Sequence, residues 1–383
     1  MHITTRNVNT AFNTLVGGIA DGSIPTVKST SRVGKVLQIV EPIIIKFERP
    51  RERVLLNDTR DCNPFFQLYE SMWMLAGRND VAPLEYYSSQ IGKIASNDGK
   101  TIPGAYGHRW RKASKYEAAD TSCNPKLTEV QTDQLNVIIE HLRNKPESRR
   151  AVLQMWTVKD DLMTLDTSKD VCCNTAAYFS IRSEYDGDFH PRINKLDMTV
   201  CNRSNDLVWG LLGANIVHFS LLQEYMANCL GVEVGVYNQF SNNLHVYTAT
   251  NGGFKPAEWL ADGLFYRYKT GVYPNYPGSK NITLVSNKEV FDKEVQEFVE
   301  LNKDYKKVTH STKWQEPFLD RIAQPMMHAF HMHKQRDYFA ARQWLDLIEN
   351  DAWQKAADAW IYKRRTNWEA KNNPEQVTEG VDL

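Results

Sequence analysis

The stretch Asp170–Arg182, DVCCNTAAYFSIR, sets two adjacent thiols, Cys172 and Cys173, between a short loop and a run that alternates like a strand. A thiolate is the strongest common side-chain nucleophile near neutral pH, provided that neighbouring cations or a helix end depress its pKa. The nearest arginines in sequence are Arg149 and Arg150, in PESRR, and Arg203, in CNRSND. If the strands pair in sequence order, both groups approach the cysteine loop, and arginines grouped in this way also grip phosphate bidentately. The bland alternative is ordinary surface arginines beside buried small cysteines, since free cysteine is among the most buried residue types. The residues alone leave both readings open.

Other polar groups fall in suggestive company. GAYGHRW sets Tyr106 beside glycines that let backbone come close to a ligand. RSNDLVWGLLGAN gathers Arg203, Ser204, Asp206 and Asn215 around Trp209, and SNNLHVYT puts His245 and Tyr247 on one face of a strand. Glu70 falls among Leu68, Trp73, Met74 and Leu75, an apolar setting for a carboxylate. Taken singly, each has a structural reading: a core histidine, a turn aromatic, a helix-surface acid. His331 and His333 in HMH have the wrong spacing for two ligands on one helix face, and no CxxC pair is present, so no metal site is expected.

Several elements must position these groups. Residues 33–47, VGKVLQIVEPIIIKF, read as strand, and PFFQLYESMWMLAG as a helix opened by Pro64 and closed by Gly77. Residues 126–143 have amphipathic helical spacing, followed by strand-like RRAVLQMWTV. Strands are expected over 176–183 and 195–202, then a long buried helix in NIVHFSLLQEYMANCLG, ended by Gly231. Interleaved strands and helices make α+β the expected class. The turn-rich GVYPNYPGSKN suggests a boundary near 280, with a unit at 1–280, charged aromatic helices over 288–306 and 315–370, and a frayed last ten residues.

Composition narrows the partners. Of 383 residues, 42% are hydrophobic, enough for a large core, and Lys+Arg and Asp+Glu both count 46. With no net charge there is no global pull toward nucleic acid or an anionic membrane, so an anionic substrate needs a local arginine cluster. The densest apolar run, VEPIII, contains Glu41 and Pro42 and is far too short to span a bilayer. The polar N-terminus lacks the apolar core of a signal peptide. Six sparse cysteines do not make a disulfide framework, so free thiols in a reducing cytoplasm are the expectation.

The segments YESMWMLAG, GAYGHRW, PESRR, CCNT, CNRSND, GAN and LHVY, in that order from about residue 30 to 250, resemble thymidylate synthase and the related pyrimidine nucleotide hydroxymethylases. The resemblance implies a twisted mixed sheet whose face packs against a second copy in a homodimer, here with a helical C-terminal extension at 281–383. It puts the nucleophile at Cys173, with Cys172 where proline usually precedes it and Asn174 where a histidine usually follows. Arg32, Arg149, Arg150 and Arg203 match phosphate ligands, with Ser204 assisting, and the Arg149–Arg150 pair is expected to reach into the neighbour's site. His245 and Tyr247 match positions holding the deoxyribose hydroxyl. Glu70 matches the carboxylate that organises water and protonates the base, and Tyr106 the tyrosine that helps remove the C5 proton. Asp206 and Gly210 match positions facing folate, Asp206 standing among the catalytic candidates as well. Substrate and co-substrate are then a pyrimidine deoxynucleoside monophosphate and 5,10-methylenetetrahydrofolate.

Such chemistry needs these types. Pyrimidine C5 is a poor nucleophile until a thiolate adds to C6; the activated carbon then takes a one-carbon unit, and loss of the C5 proton leaves an exocyclic methylene. Hydride converts this to methyl, water to hydroxymethyl. An amide at Asn215 donates to O4 and accepts from N3–H of uracil, whereas a carboxylate there suits cytosine. The tryptophans that shield the intermediate in synthases align with about Ile91 and Ile94. The chain also runs on from Tyr247 to Leu383 in place of a short closing tail, and His218 occupies a place usually given to a small residue. These departures point to a deoxyuridylate hydroxymethylase of the kind bacteriophages use. A thymidylate synthase, a deoxycytidylate hydroxymethylase and a non-catalytic nucleotide-binding homologue are the alternatives, and His218 is a candidate for positioning water or, equally, a packed helix-face histidine.

Overall fold

The computed structural model describes residues 1–119, 127–184, 193–248, 253–260, 282–304 and 312–372. The expected connector at 271–281, the boundary at 280 and the frayed last ten residues lie outside the described residues. In chain order come β1 (His2–Thr5), α1 (Val8–Ala20), β2 (Thr26–Thr30), β3 (Lys35–Ile39), β4 (Ile43–Phe47), α2 (Pro64–Leu75), α3 (Ala82–Glu85), a 3-10 turn (Ile91–Ile94) and α4 (Tyr106–Arg111). Next are β5 (Ser114–Ala119), β6 (Leu127–Thr132), α5 (Gln134–Asn144), β7 (Val152–Gln154), β8 (Asn174–Glu184), β9 (Ile193–Asn202) and β10 (Asn205–Asp206). A π-helical segment (Leu207–Asn215) runs into α6 (Ile216–Leu230), then β11 (Glu233–Ser241), β12 (Leu244–Tyr247) and α7 (Pro256–Leu260). Further on come α8 (Lys288–Leu301), a short π-helical stretch (Leu319–Ala323), α9 (Gln324–Lys334), α10 (Tyr338–Leu345) and α11 (Asp351–Asn372).

The architecture is α+β, as expected. A six-stranded mixed sheet has the order β1-β4-β11-β9-β8-β7, and a four-stranded sheet the order β10-β12-β3-β2. Because α6 carries the chain from β9 to β11, those two strands pair in parallel, whereas β8 and β9 pair antiparallel. On β9, Leu196, Met198 and Val200 alternate inward and are fully buried under the helices. On the other face, Val152, Tyr178 and Ile44 are exposed.

Two expectations need correcting. The run at 33–47 is not one strand but two: β3 pairs with β2 and β12, β4 with β1 and β11, so the segment divides between two sheets. Pro42 lacks the N–H that a continuing ladder needs, and the break falls there. The helix expected over 126–143 begins only at Gln134, capped by Asp133, whose side chain accepts from the Asn136 N–H. Leu127–Thr132 is instead a strand on β5, because cross-strand pairing outweighs the weak helical propensity of its threonines.

Helix α2 is central to both the core and the site. Asn63 caps it, with Pro64 at the first position, where the missing N–H costs nothing. One face meets the C-terminal helices: Tyr69 donates to Val299 O at 2.7 Å, and Phe65 packs on Phe330 and Trp360 with ring centroids 5.3 and 5.4 Å away. The other face meets α4, where only a glycine fits: a Cβ on Gly107 would collide with the Met74 backbone. Among the described residues, no helix is long and apolar enough to cross a membrane.

Candidate active site

The two thiols have opposite environments. Cys172 is 1% exposed; its N–H donates to Asp161 Oδ1 at 3.1 Å and its Sγ faces Gly104 O at 3.5 Å. Asp161, itself fully buried, is neutralised by Arg109 at 3.2 Å. Burial pushes the Cys172 thiol far up, against a smaller pull from Arg109. Cys173 is half-buried, and Arg203 Nη2 lies 3.8 Å from its Sγ. Burial raises its pKa too, opposed by the Arg203 charge. Arg203 is held in place by donating to Cys172 O at 2.8 Å and Val171 O at 2.9 Å. Cys173 is therefore the thiol open to a reaction partner, and Cys172 belongs to the packing beneath it.

Tyr106, at the start of α4, accepts the N–H of Asn174 at 3.3 Å and packs its ring on Phe219 with centroids 5.8 Å apart. It thereby links the residue after Cys173 to the start of α6. Burial, with the Cys173 sulfur nearby, raises the phenol well above its usual range, so it stays protonated. Asn174 is wholly buried, and both its side-chain polar atoms lack partners among the described residues. Glu70, on the site-facing side of α2, lies with Oε2 3.0 Å from His218 Nε2. Nε2 makes no hydrogen bond among the described residues. Three residues before Glu70, Gln67 donates to Gly213 O at 2.8 Å, pinning α2 to the π-helical segment.

That segment organises a second cluster. Asn215 Nδ2 donates to Asn205 Oδ1 at 3.0 Å, which leaves Oδ1 and the second amide hydrogen available. The pairing needs Gly210, since a Cβ there would stand 2.7 Å from Asn205 Oδ1. Asp206 caps the segment by accepting from the N–H groups of Val208 and Trp209, while its Oδ2 is buried without a partner among the described residues. Burial raises the Asp206 pKa, and the Trp209 hydrogen bond, His245 and Arg60 pull it back. His245 pairs with Asp206 in register on β12; its Nδ1 lies 3.0 Å from Asn243 Oδ1, and its ring stands edge-on to Tyr247. Burial lowers the His245 pKa, so the ring is neutral near pH 7.

Of the expected phosphate ligands, Arg32 is exposed and donates to Lys169 O at 2.9 Å, on the cysteine loop. Ser204 is half-buried beside Arg203. Arg149 and Arg150 do not join them: both are exposed, and neither guanidinium has a partner among the described residues. Ile91 and Ile94 sit half-buried in their 3-10 turn against the core. Among the described residues no cluster of His, Cys, Asp and Glu could hold a metal. His331 is buried, with Nδ1 3.1 Å from Tyr86 Oη, and burial drives its pKa down to about 3, in keeping with a packing role.

Two supporting residues were not singled out from the sequence. Asn205 orients Asn215, and its only signal was its place inside CNRSND. Arg60 holds Val208 O at 3.0 Å and lies 3.9 Å under the Trp209 ring; nothing in its local sequence signalled this, because its partners are distant in the chain.

Residues 12–311 match the family profile described as thymidylate synthase. The chain is 36% identical over 381 residues to a deoxyuridylate hydroxymethyltransferase of Pseudomonas phage M6, covering 96% of each chain. It is 39% identical over 214 residues to a protein of the same description from Bacillus phage SP01, covering 56% of this chain and 51% of that one. It is also 30% identical over 179 residues to a thymidylate synthase of Symbiobacterium thermophilum, covering 46% and 57%. With a family match that runs through the cysteine loop, the arginine turn and the π-helical segment, this chain belongs to the thymidylate synthase family.

Proposed function

We propose that the protein transfers a one-carbon unit from 5,10-methylenetetrahydrofolate to C5 of deoxyuridylate and releases 5-hydroxymethyldeoxyuridylate. The observation that carries this reading is the similarity to the Pseudomonas phage hydroxymethyltransferase, which extends over 96% of both chains and so includes the C-terminal helices.

In this reading Arg32, Arg203 and Ser204 hold the phosphate, joined by Arg149 and Arg150 of a second copy. The open sheet face, with Val152, Tyr178 and Ile44 exposed, supports such a dimer. His245 and Tyr247 hold the deoxyribose hydroxyl. Asn215 reads uracil through its free Oδ1 and N–H. Cys173 adds to C6 and Glu70 protonates O4, which gives an enol whose C5 is nucleophilic. Tyr106 assists removal of the C5 proton.

The residues present fit a folate. The orphaned, buried Asp206 Oδ2 is an acceptor suited to the N–H edge of a pterin, and Trp209 beside it is 46% exposed. Bound there, methylenetetrahydrofolate supplies the one-carbon unit at the oxidation level of formaldehyde. Gly210 stands on that side, and in this reading Ile91 and Ile94 take the place of the shielding tryptophans, smaller side chains that favour entry of water.

The test is the product mass from deoxyuridylate and methylenetetrahydrofolate, run beside deoxycytidylate while absorbance is followed for dihydrofolate. Hydroxymethyldeoxyuridylate without dihydrofolate is expected. Thymidylate with equimolar dihydrofolate would replace this reading by the synthase one, and turnover of deoxycytidylate alone would replace the base assignment.

A further inference from the structure

His218 and Glu70 stand out because they meet at ion-pair distance without forming a hydrogen bond. His218 is 4% exposed, on the first turn of α6, three residues after Asn215 and next to Phe219, on which Tyr106 packs. Its Nε2 lies 3.0 Å from Glu70 Oε2, yet it makes no hydrogen bond among the described residues. A buried ring nitrogen that makes no hydrogen bond to protein retains the capacity to bond a water. The Glu70 carboxylate is close enough to pair with a cationic ring. The spacing of one helical turn puts this nitrogen on the same end of α6 as the base-reading amide.

We propose that His218 is the general base that takes a proton from the water attacking the exocyclic methylene, with Glu70 stabilising the imidazolium so formed; this rests on the hydroxymethylase reading above. The water oxygen bonds to the methylene carbon as its O–H bond breaks, and the proton passes to His218 Nε2. The methylene C=C electron pair moves toward C4–O4 as an enolate. Its return expels the Cys173 thiolate from C6 and restores the C5–C6 double bond, and the proton on His218 passes by way of Glu70 to solvent. One water is consumed, no oxidant or reductant is needed, and the thiolate is regenerated. Glu70 thus serves twice, first at O4 and then at the imidazolium.

The experiment uses deoxyuridylate tritiated at C5 and compares His218→Asn and His218→Ser with the wild type. Tritium release reports events up to the exocyclic methylene, and hydroxymethyl product reports the water step. Wild type should release tritium and form product in equal amounts. In both variants product formation should fall about 10²-fold, the scale of a lost general base, while tritium release in the first turnover stays near wild type. Intact-mass spectra should then show the methylene adduct on Cys173. Deoxyuridylate affinity and melting temperature, measured alongside, separate this from misfolding. Tritium release falling in step with product would overturn the assignment and leave His218 a packing residue, as would unchanged product in either variant. If the wild type yields thymidylate and dihydrofolate, the hydroxymethylase reading fails and this inference with it.

Discussion

Arg203 reaches Cys173 with Nη2 3.8 Å from Sγ while its own position is set by the Cys172 and Val171 carbonyls. The cation is thus fixed by the backbone of the loop it faces. Because burial outweighs Arg203 in setting the thiol's pKa, the free enzyme should react slowly with iodoacetamide at neutral pH. The rate at Cys173 should climb on the alkaline side of the ordinary thiol range. Arg203→Ala should move that rise to still higher pH. Cys173→Ser should lose about 10³-fold or more of turnover, and Cys172→Ser far less. Peptide mapping of the alkylated protein checks this, and faster labelling of Cys172 than of Cys173 would refute it.

Arg149 and Arg150 are exposed, and neither guanidinium has a partner among the described residues, which suits a role in a neighbour's site. Mixing Cys173→Ser with an Arg149→Ala/Arg150→Ala double variant, each inactive alone, should then restore about one quarter of wild-type activity after random exchange of a symmetric dimer. No recovery despite demonstrated subunit exchange would confine both arginines to their own chain.

Asn215→Asp should cut deoxyuridylate turnover about 10²-fold or more, because a site built for N3–H and O4 then offers two acceptors. Deoxycytidylate should become the better substrate. A carboxylate there also faces Asn205 Oδ1, now 3.0 Å from Nδ2, so a stability loss of about 1–3 kcal/mol is expected unless the Asn205 amide turns over. Parallel turnover assays and urea midpoints separate the two effects.

Asp206 carries a raised pKa, with burial the main cause. A carboxylate whose folded pKa lies above its unfolded value opposes folding increasingly as pH rises past about 4, and the penalty levels off above the folded value. Asp206→Asn keeps a capping oxygen for Val208 and Trp209 yet removes the charge. It should therefore be more stable than wild type at pH 7, with the gain vanishing on acidification below about pH 4, while folate-dependent turnover falls. Denaturation midpoints across pH decide it; a variant less stable at pH 7 would show that the charge is not a burden.

Trp360 on α11 is 8% exposed, packs on Phe65 and Phe330, and lies 3.4 Å from the Arg364 guanidinium. Trp360→Ala should cost about 3 kcal/mol, and Arg364→Ala about 1 kcal/mol or less, since its bidentate pair with Asp61 is partly exposed to solvent. A single unfolding transition is expected, because α8, α9 and α11 share their core with α2. Separate transitions for the C-terminal helices would instead mark an independently folding extension.

Much of this was legible along the chain. Helix α2 was marked by Pro64 and Gly77, α6 by its apolar spacing and Gly231, and β8 and β9 by alternation, since local periodicity and end signals act within a few residues. Cys173, Arg203 and Tyr106 come together in one cluster, and Asn215, Asp206 and His245 in another. What failed was local propensity set against a distant partner: Leu127–Thr132 reads as helix alone but becomes strand against β5. The run at 33–47 could not reveal from its own residues that its halves serve different sheets.

The sequence by itself determined the chemical repertoire: the paired thiols, the arginines, the amide at Asn215 and the order in which they recur, because residue types and spacing are fixed by the chain. The tertiary structure alone decided which thiol is open, since the difference between Cys172 and Cys173 is burial under Gly104 against exposure toward Arg203. It alone brought Glu70 to His218 and Arg60 to Trp209. Those contacts join segments far apart in the chain, and they exist only once hydrophobic burial has packed α2 against α6 and the loop before α2 against the π-helical turn.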